Sequence, residues 1–190
     1  MNKKIIEQRA AKILSAENIS KPPIKAEVLA ESYFGLDISW ETLSRKDVAA
    51  DITFAEKKIR MNELLADKFR ENAGFWNFTV AHELGHWVLH RNLPIDERSP
   101  QNEREADIFA THLLMPENFV REEFAKLPRW LPAEMKLDFL AKKFCVSKKA
   151  MKIRLSQREL KLIYVDFDDY SCYRSKEEFW DRGGRQIKLF

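Results

Sequence analysis

Two histidines and a glutamate occupy one turn of a helix near the middle of the chain. Residues 82–86 read His-Glu-Leu-Gly-His and lie in a proline-free stretch, residues 79–90, whose pattern predicts an α-helix. On a helix, residues four apart lie about 40° from each other on one face, so the imidazoles of His82 and His86 can reach one metal ion. Glu83 lies about 100° around the helix from His82, where its carboxylate can act as a general base without binding the metal. This spacing is typical of zinc metallopeptidases.

The surroundings of this motif favour a metal site over a helix that carries two histidines by chance. All four histidines of the chain fall between positions 82 and 112. Buried imidazole and carboxylate groups without partners would be costly. One side of the predicted helix can pack on a core, because its apolar residues gather there: Val80, Ala81, Leu84 and Val88.

A second predicted helix offers the third ligand. Residues 101–115 have a helical pattern, and Pro116 ends it. Glu103 and Asp107 are four residues apart and share one face. Glu103 can complete the three protein ligands that catalytic zinc sites usually have. Asp107 can accept the free N–H of a ligating imidazole, which orients the ring.

Three other residues compete for roles at this site. Glu105 lies about 200° around the helix from Glu103, and it remains an alternative third ligand if the helix begins later than predicted. Otherwise its charge complements the helix N-terminus. His112 lies about 180° from Glu103 and is expected outside the site. His90 is about 12 Å along the helix from His82, too far to bind the same ion, so it is expected to line the cleft or to cap the helix end.

Two blocks of the sequence resemble the ImmA/IrrE family of metallopeptidases. The first, residues 77–90, reads NFTVAHELGHWVLH. The second, residues 103–116, reads EREADIFATHLLMP and is similar to that family's E-x-x-A-N-x-F-A-x-x-L-L-M-P block, with Asp107 in place of the more usual Asn. Outside these blocks a weaker likeness extends over about residues 5–160.

The resemblance implies a function and a partner. It implies a gluzincin-type, zinc-dependent peptidase in which His82, His86 and Glu103 bind Zn²⁺ and Glu83 is the catalytic base. It also implies a protein substrate, a helix-turn-helix transcription repressor. The biological setting would be gene regulation of a mobile element, a toxin–antitoxin-like pair or a stress response.

The predicted elements mix helices and strands without regular β-α alternation, which favours an α+β fold. We predict one zincin-like domain over residues 1–190, mostly helical with a small mixed sheet. Its catalytic core covers about residues 1–130, and a basic helical part covers about 131–190. The predicted helices cover residues 3–15, 25–33, 63–71, 77–91, 101–115, 133–144 and 148–158, with short ones within 116–132 and near 176–180. The predicted strands cover residues 37–40, 51–61 as a hairpin, and 160–167.

Two elements that precede the predicted metal helix matter for the site: the end of the helix before it and a strand at the cleft edge. Gly74 is predicted to end the helix over residues 63–71. In zincins a strand before the metal helix lies at the edge of the cleft, which here predicts a cleft-edge strand within residues 52–61. A peptide substrate could add to that strand as an extra one.

Composition and charge bear on location and partners. Two cysteines are too few for a disulfide framework, which favours a reducing, cytoplasmic location. Neither a signal sequence nor a membrane-spanning stretch is expected, so a membrane partner is not predicted.

The net charge of +3 is mild, but residues 135–161 hold nine basic and two acidic residues, and residues 140–150 have the rhythm of a helix-turn-helix. The alternative function is therefore a DNA- or regulator-binding protein in which the metal site is accessory or non-catalytic. Its exposed basic face could be formed by Lys148, Lys149, Lys152 and Arg154. A solvated basic helix pair explains the same charges, and we expect no direct nucleic-acid binding.

Overall fold

The fold is α+β, as predicted, with mostly helical structure and one small three-stranded sheet. A computed structural model describes residues 1–44, 47–91, 93, 95–157, 160 and 162. Its helices are α1 (Lys3–Ala16), α2 (Ala26–Val28, continued by a π-helical turn Leu29–Tyr33), α3 (Ala66–Glu71), α4 (Ala73–Leu89), α5 (Pro100–Leu114), α6 (Glu117–Ala125), α7 (Ala133–Phe144) and α8 (Lys148–Ser156), with 3₁₀ turns at Glu63–Leu65 and Ile95–Glu97. The strands are β1 (Asp37–Glu41), β2 (Ala50–Thr53) and β3 (Lys58–Asn62). The helix predicted near residues 176–180 lies outside the described residues, as does nearly all of the strand predicted over 160–167.

The strands are arranged in the order β1-β3-β2. β2 and β3 form the predicted hairpin, and β1 pairs with β3 in parallel. β3 is therefore the central strand, so only the β2 part of residues 52–61 can form a cleft edge. β2 packs against α4, and Phe54, just after β2, stacks on Trp87 of α4 with ring centroids 5.6 Å apart.

The start of α4 corrects one predicted boundary. The break between α3 and α4 falls at Asn72, whose side chain accepts a hydrogen bond from the backbone N–H of Phe75 and so caps the helix. Gly74 lies inside α4 instead of ending a helix. A Cβ atom there would lie 2.8 Å from the carbonyl carbon of Val146, so this glycine lets α4 pass close to the turn between α7 and α8.

The last two helices share the hydrophobic core of the rest of the domain. Phe144, Met151 and Leu155 are fully buried in the same cluster as the apolar residues of α4 and α5. Arg154, which the sequence suggested as part of an exposed basic face, is fully buried. Its Nε donates to the backbone carbonyl of Met115 over 2.9 Å, at the end of α5. Within the described residues, no helix has the length and apolar character needed to cross a membrane.

Candidate metal centre

The site forms where α4 and α5 cross, and a glycine makes the crossing close. Gly85 lies inside the His-Glu-x-x-His motif, and a Cβ atom there would lie 2.9 Å from the Cα of Ala106 on α5. The backbones can approach this closely only because Gly85 has no side chain. The residues that flank Gly85 on α4 therefore face those that flank Ala106 on α5.

Three side chains from these helices converge on one point. The Nε2 atoms of His82 and His86 lie 3.1 Å apart. Glu103 Oε2 lies 3.2 Å from Nε2 of His82, and Glu103 Oε1 lies 3.3 Å from Nε2 of His86. One ligand atom from each of the three residues lies within 4.8 Å of the others, so the group could hold a metal ion. His112 lies outside this group, with its Nδ1 3.7 Å from Glu7 Oε1.

The electrostatics of this point suit a cation. Burial by itself lowers the pKa of His82, but hydrogen bonds to Asp107 and Glu103 outweigh burial and raise that pKa to about 10. The surroundings thus favour a positive charge at the ring. Burial lowers the pKa of His86 to about 3, so its imidazole is neutral. Glu103 has a pKa well below its usual range, because its hydrogen bonds to the two histidines outweigh the effect of burial. A neutral imidazole and an ionised carboxylate are ligands that Zn²⁺ accepts.

Asp107 holds the ring of His82. Nδ1 of His82 and Oδ1 of Asp107 lie 2.8 Å apart. An ionised carboxylate can only accept, so the Nδ1–H of His82 donates to it. The ring is therefore oriented with Nε2 toward Glu103, the arrangement in which a carboxylate orients a ligating histidine.

His90 and Glu105 hold the ring of His86. Oε2 of Glu105 lies 3.0 Å from Nε2 of His90, and the Nδ1 atoms of His90 and His86 lie 3.0 Å apart. Burial alone would raise the pKa of Glu105, but hydrogen bonds, the first of them from His90, bring it to about 2, and burial lowers the pKa of His90. Neutral His90 must then donate from Nε2 and accept at Nδ1, so His86 donates from Nδ1 and keeps a lone pair at Nε2.

These contacts also locate Glu105 and His90, two residues that competed for roles at the site. Glu105 is buried against His90 and is not among the three residues that converge. His90 directly follows α4, and its backbone N–H donates to the carbonyl of His86 over 2.9 Å. Its side chain contacts the Nδ1 side of the His86 ring. Helical angles could not show this, because His90 lies just past the last regular residue of α4.

Glu83 is buried beside the three converging residues and takes no part in their group. Burial raises the pKa of its carboxyl to about 7, although nearby Arg98 and His82 oppose the shift. Its Oε2 forms no hydrogen bond within the described part of the chain. A carboxylate with a pKa near neutrality is well suited to accept and return a proton.

Arg98 is the residue of this region that the sequence did not reveal. Its Nη1 lies 3.6 Å from Oε2 of Glu83, and its side chain is only 3% exposed. Arg98 lies outside any helix or strand, between the turn Ile95–Glu97 and α5. No periodicity marks such a position, so only the fold brings it to the site.

Comparison with known families shows to which family the chain belongs. The family model described as the IrrE N-terminal-like domain, of the M78 peptidases, matches residues 45–156. The chain belongs to this family. The match includes β2, β3, α4 and α5, and thus both blocks on which the resemblance to ImmA/IrrE peptidases was based. It does not include residues 5–44, to which the sequence likeness was also extended.

A solved structure shares the fold of this M78 domain. It is named "Mycobacterium tuberculosis transcriptional regulator", with a TM-score of 0.55 and 17% sequence identity. The alignment covers 81% of this chain and 47% of that one, so the chain spans less than half the length of that protein. No curated protein matches the chain significantly.

Proposed function

We propose that this M78 domain is a zinc-dependent peptidase. In this proposal His82, His86 and Glu103 bind Zn²⁺, and Glu83 is the general base. The observation that carries the proposal is the convergence of those three side chains beside a buried carboxylate whose pKa is about 7. Membership of a peptidase family supports it independently.

The chemistry divides between the metal and the chain. When bound, zinc supplies Lewis acidity, which polarises the peptide carbonyl and lowers the pKa of the attacking water. Glu83 takes a proton from that water on its free carboxylate oxygen while the water oxygen bonds to the carbonyl carbon. As the C–N bond breaks, Glu83 returns the proton to the leaving amine nitrogen. Asp107 and His90 keep the two imidazoles oriented throughout.

We further propose that the substrate binds as an extended strand along β2. Within the described residues, β2 pairs on one side only, with β3. An unpaired strand edge offers backbone N–H and C=O groups to an extended peptide. Asp51 of β2 is close enough to Glu83 to affect its pKa, so a peptide on this edge would run near the base.

The proposed substrate is a helix-turn-helix transcription repressor. The sequence likeness to ImmA/IrrE peptidases supports this class. The structural neighbour is named a transcriptional regulator, which agrees with a setting in gene regulation. The regulated genes would belong to a mobile element, a toxin–antitoxin-like pair or a stress response.

The alternative, a DNA- or regulator-binding protein with an accessory metal site, has less support. Arg154 is buried and Lys148 pairs with Asp138, so the proposed basic face loses two of its charges. Titration against promoter and random duplexes across a salt series tests this alternative. Tight binding to the promoter alone at physiological salt would favour it over the peptidase.

Co-expression tests the peptidase directly. The chain is expressed beside the regulator encoded next to it, and cleavage products are identified by mass spectrometry. The wild type should cut the regulator at one site. Glu83→Gln should bind zinc as the wild type does but leave the regulator intact, because an amide cannot accept the proton. Cleavage by Glu83→Gln would remove Glu83 as the base.

A further inference from the structure

Arg98 has hydrogen-bonding capacity that the resting site leaves unused. Its Nε and Nη2 atoms are buried and have no hydrogen-bond partner within the described residues. Another arginine of the chain shows what this edge of a guanidinium binds. In Arg60, Nε and Nη2 donate to the two carboxylate oxygens of Asp51 over 2.7 and 2.6 Å. The corresponding edge of Arg98 is buried and meets no acceptor oxygen within the described residues.

The neighbouring Glu83 does not satisfy Arg98. At 3.6 Å, the distance from Nη1 to Oε2 is too long for a good hydrogen bond, so the pair is mainly a charge interaction. A buried guanidinium with unused donors is unfavourable unless an acceptor arrives. The location of Arg98 beside the proposed base implies that this acceptor belongs to the reacting group.

We propose that Arg98 is a catalytic residue that donates hydrogen bonds from Nε and Nη2 to the carbonyl oxygen of the scissile peptide bond. This inference rests on the proposed peptidase function. As water adds, its oxygen bonds to the carbonyl carbon, its proton moves to Glu83, and the π electrons of the C=O bond move to the carbonyl oxygen. Arg98 stabilises that negative oxygen. When the C–N bond breaks, the electrons return to re-form C=O, and the amine nitrogen takes the proton from Glu83.

The resting state explains why such donors would accelerate the reaction. Interactions speed a chemical step only when they are stronger in the transition state than before it. Donors that meet no acceptor within the described residues gain their full effect when negative charge develops on the substrate. Because the guanidinium is buried, water does not screen that effect.

The test compares Arg98→Ala and Arg98→Lys with the wild type on a peptide that spans the cleavage site found by co-expression. Loss of an oxyanion donor typically lowers kcat by about 100- to 1000-fold. We expect such a loss in Arg98→Ala, with little change in KM or zinc content. Added guanidinium ion should restore part of the kcat of Arg98→Ala, whereas methylammonium should not. A phosphinic analogue of the peptide, which mimics the tetrahedral state, should lose far more affinity for Arg98→Ala than the uncut peptide does. Arg70→Ala, which removes an exposed arginine paired with Asp67, is the matched control.

Three results would overturn this role. An unchanged kcat in Arg98→Ala would show that the guanidinium does not touch the reacting oxygen. A higher kcat would show that Arg98 obstructs the site. A loss confined to peptides with an acidic residue near the cut would show that Arg98 reads a substrate carboxylate. A wild type that binds zinc but cleaves nothing would instead refute the proposed peptidase function.

Discussion

Gly85 and Ala106 lie so close that a methyl group on Gly85 would be 2.9 Å from the Cα of Ala106 and 3.0 Å from its carbonyl oxygen. Gly85 directly precedes His86, and Ala106 directly precedes Asp107. This one contact therefore controls how near the histidines of α4 come to Glu103 and Asp107 of α5. A glycine inside a helix normally destabilises it by about 0.5–1 kcal/mol relative to alanine, which the close crossing offsets here.

Gly85→Ala should weaken both the fold and metal binding. Alanine favours a helix more than glycine does, so propensity alone would raise the melting temperature. We expect a lower melting temperature, because the added methyl group would clash with the backbone of Ala106 and α5 would have to shift. Zinc affinity, measured by competition with a chelator, should fall at least about tenfold, in the range for disturbed metal sites. A variant that melts higher and binds zinc unchanged would show that the crossing can relax.

The contacts of the imidazoles predict a graded series of metal affinities. Glu103→Ala should lose zinc, because it removes one of the converging ligands. His90→Phe and Glu105→Ala should retain zinc with affinity lowered by about 10- to 100-fold, since they release the ring of His86 without removing a ligand. His112→Phe changes a buried histidine outside the group and is the control. Loss of zinc in Glu105→Ala with retention in Glu103→Ala would make Glu105 the third ligand.

The stability of the metal-free protein should fall as the pH rises from about 6.5 to 10. The folded pKa of His82 is raised from 6.5 to about 10, so its stabilising contribution is complete below pH 6.5 and is lost as the pH rises through about 10. The folded pKa of Glu83 is raised from 4.5 to about 7, which also lowers stability as the pH rises, but below pH 6.5 the folded pKa of His86, lowered to about 3, has the opposite effect. Thermal melts of the metal-free protein from about pH 6.5 to 10 measure the effect. Zinc should oppose the trend, because its binding releases protons from the ligands. Stability that rises with pH over this range would contradict the shift at His82.

Arg154 should matter for stability rather than for binding a partner. Arg154→Met leaves the carbonyl of Met115 without its donor, and an unsatisfied buried group costs about 1–3 kcal/mol. Lys142→Met, on the exposed side of α7, should change the free energy of unfolding little. Urea denaturation of both variants measures the difference. Equal, small changes in the free energy of unfolding for both variants would indicate that Arg154 lies on the exposed basic face that the sequence suggested.

Residue spacing along the chain was sufficient to predict the helices that carry the candidate metal ligands. The i, i+4 spacing of His82 and His86 predicts a shared face, and the shared face of Glu103 and Asp107 agrees with where the structure places both side chains. Features that depend on how elements cross were beyond local rules. Gly74 was read as a helix end because glycine weakens helices, yet it permits a close crossing with the α7–α8 turn. Arg98 and the contact between His90 and Glu105 arise only when α4, α5 and the segment between them meet.

The edge of β2 that is unpaired within the described residues has a consequence for the timing of the proposed cleavage. A segment that lies along this edge must give up any helical hydrogen bonds it makes in its own protein, because its N–H and C=O groups are needed by the strand. A folded target would therefore be cut only during the fraction of time that its cleavage segment is locally unfolded. Any signal that promotes local unfolding of that segment would speed cleavage of the target without altering the proposed peptidase. On this view, local unfolding of the target would set the rate of cleavage, and the proposed peptidase would need no activation of its own.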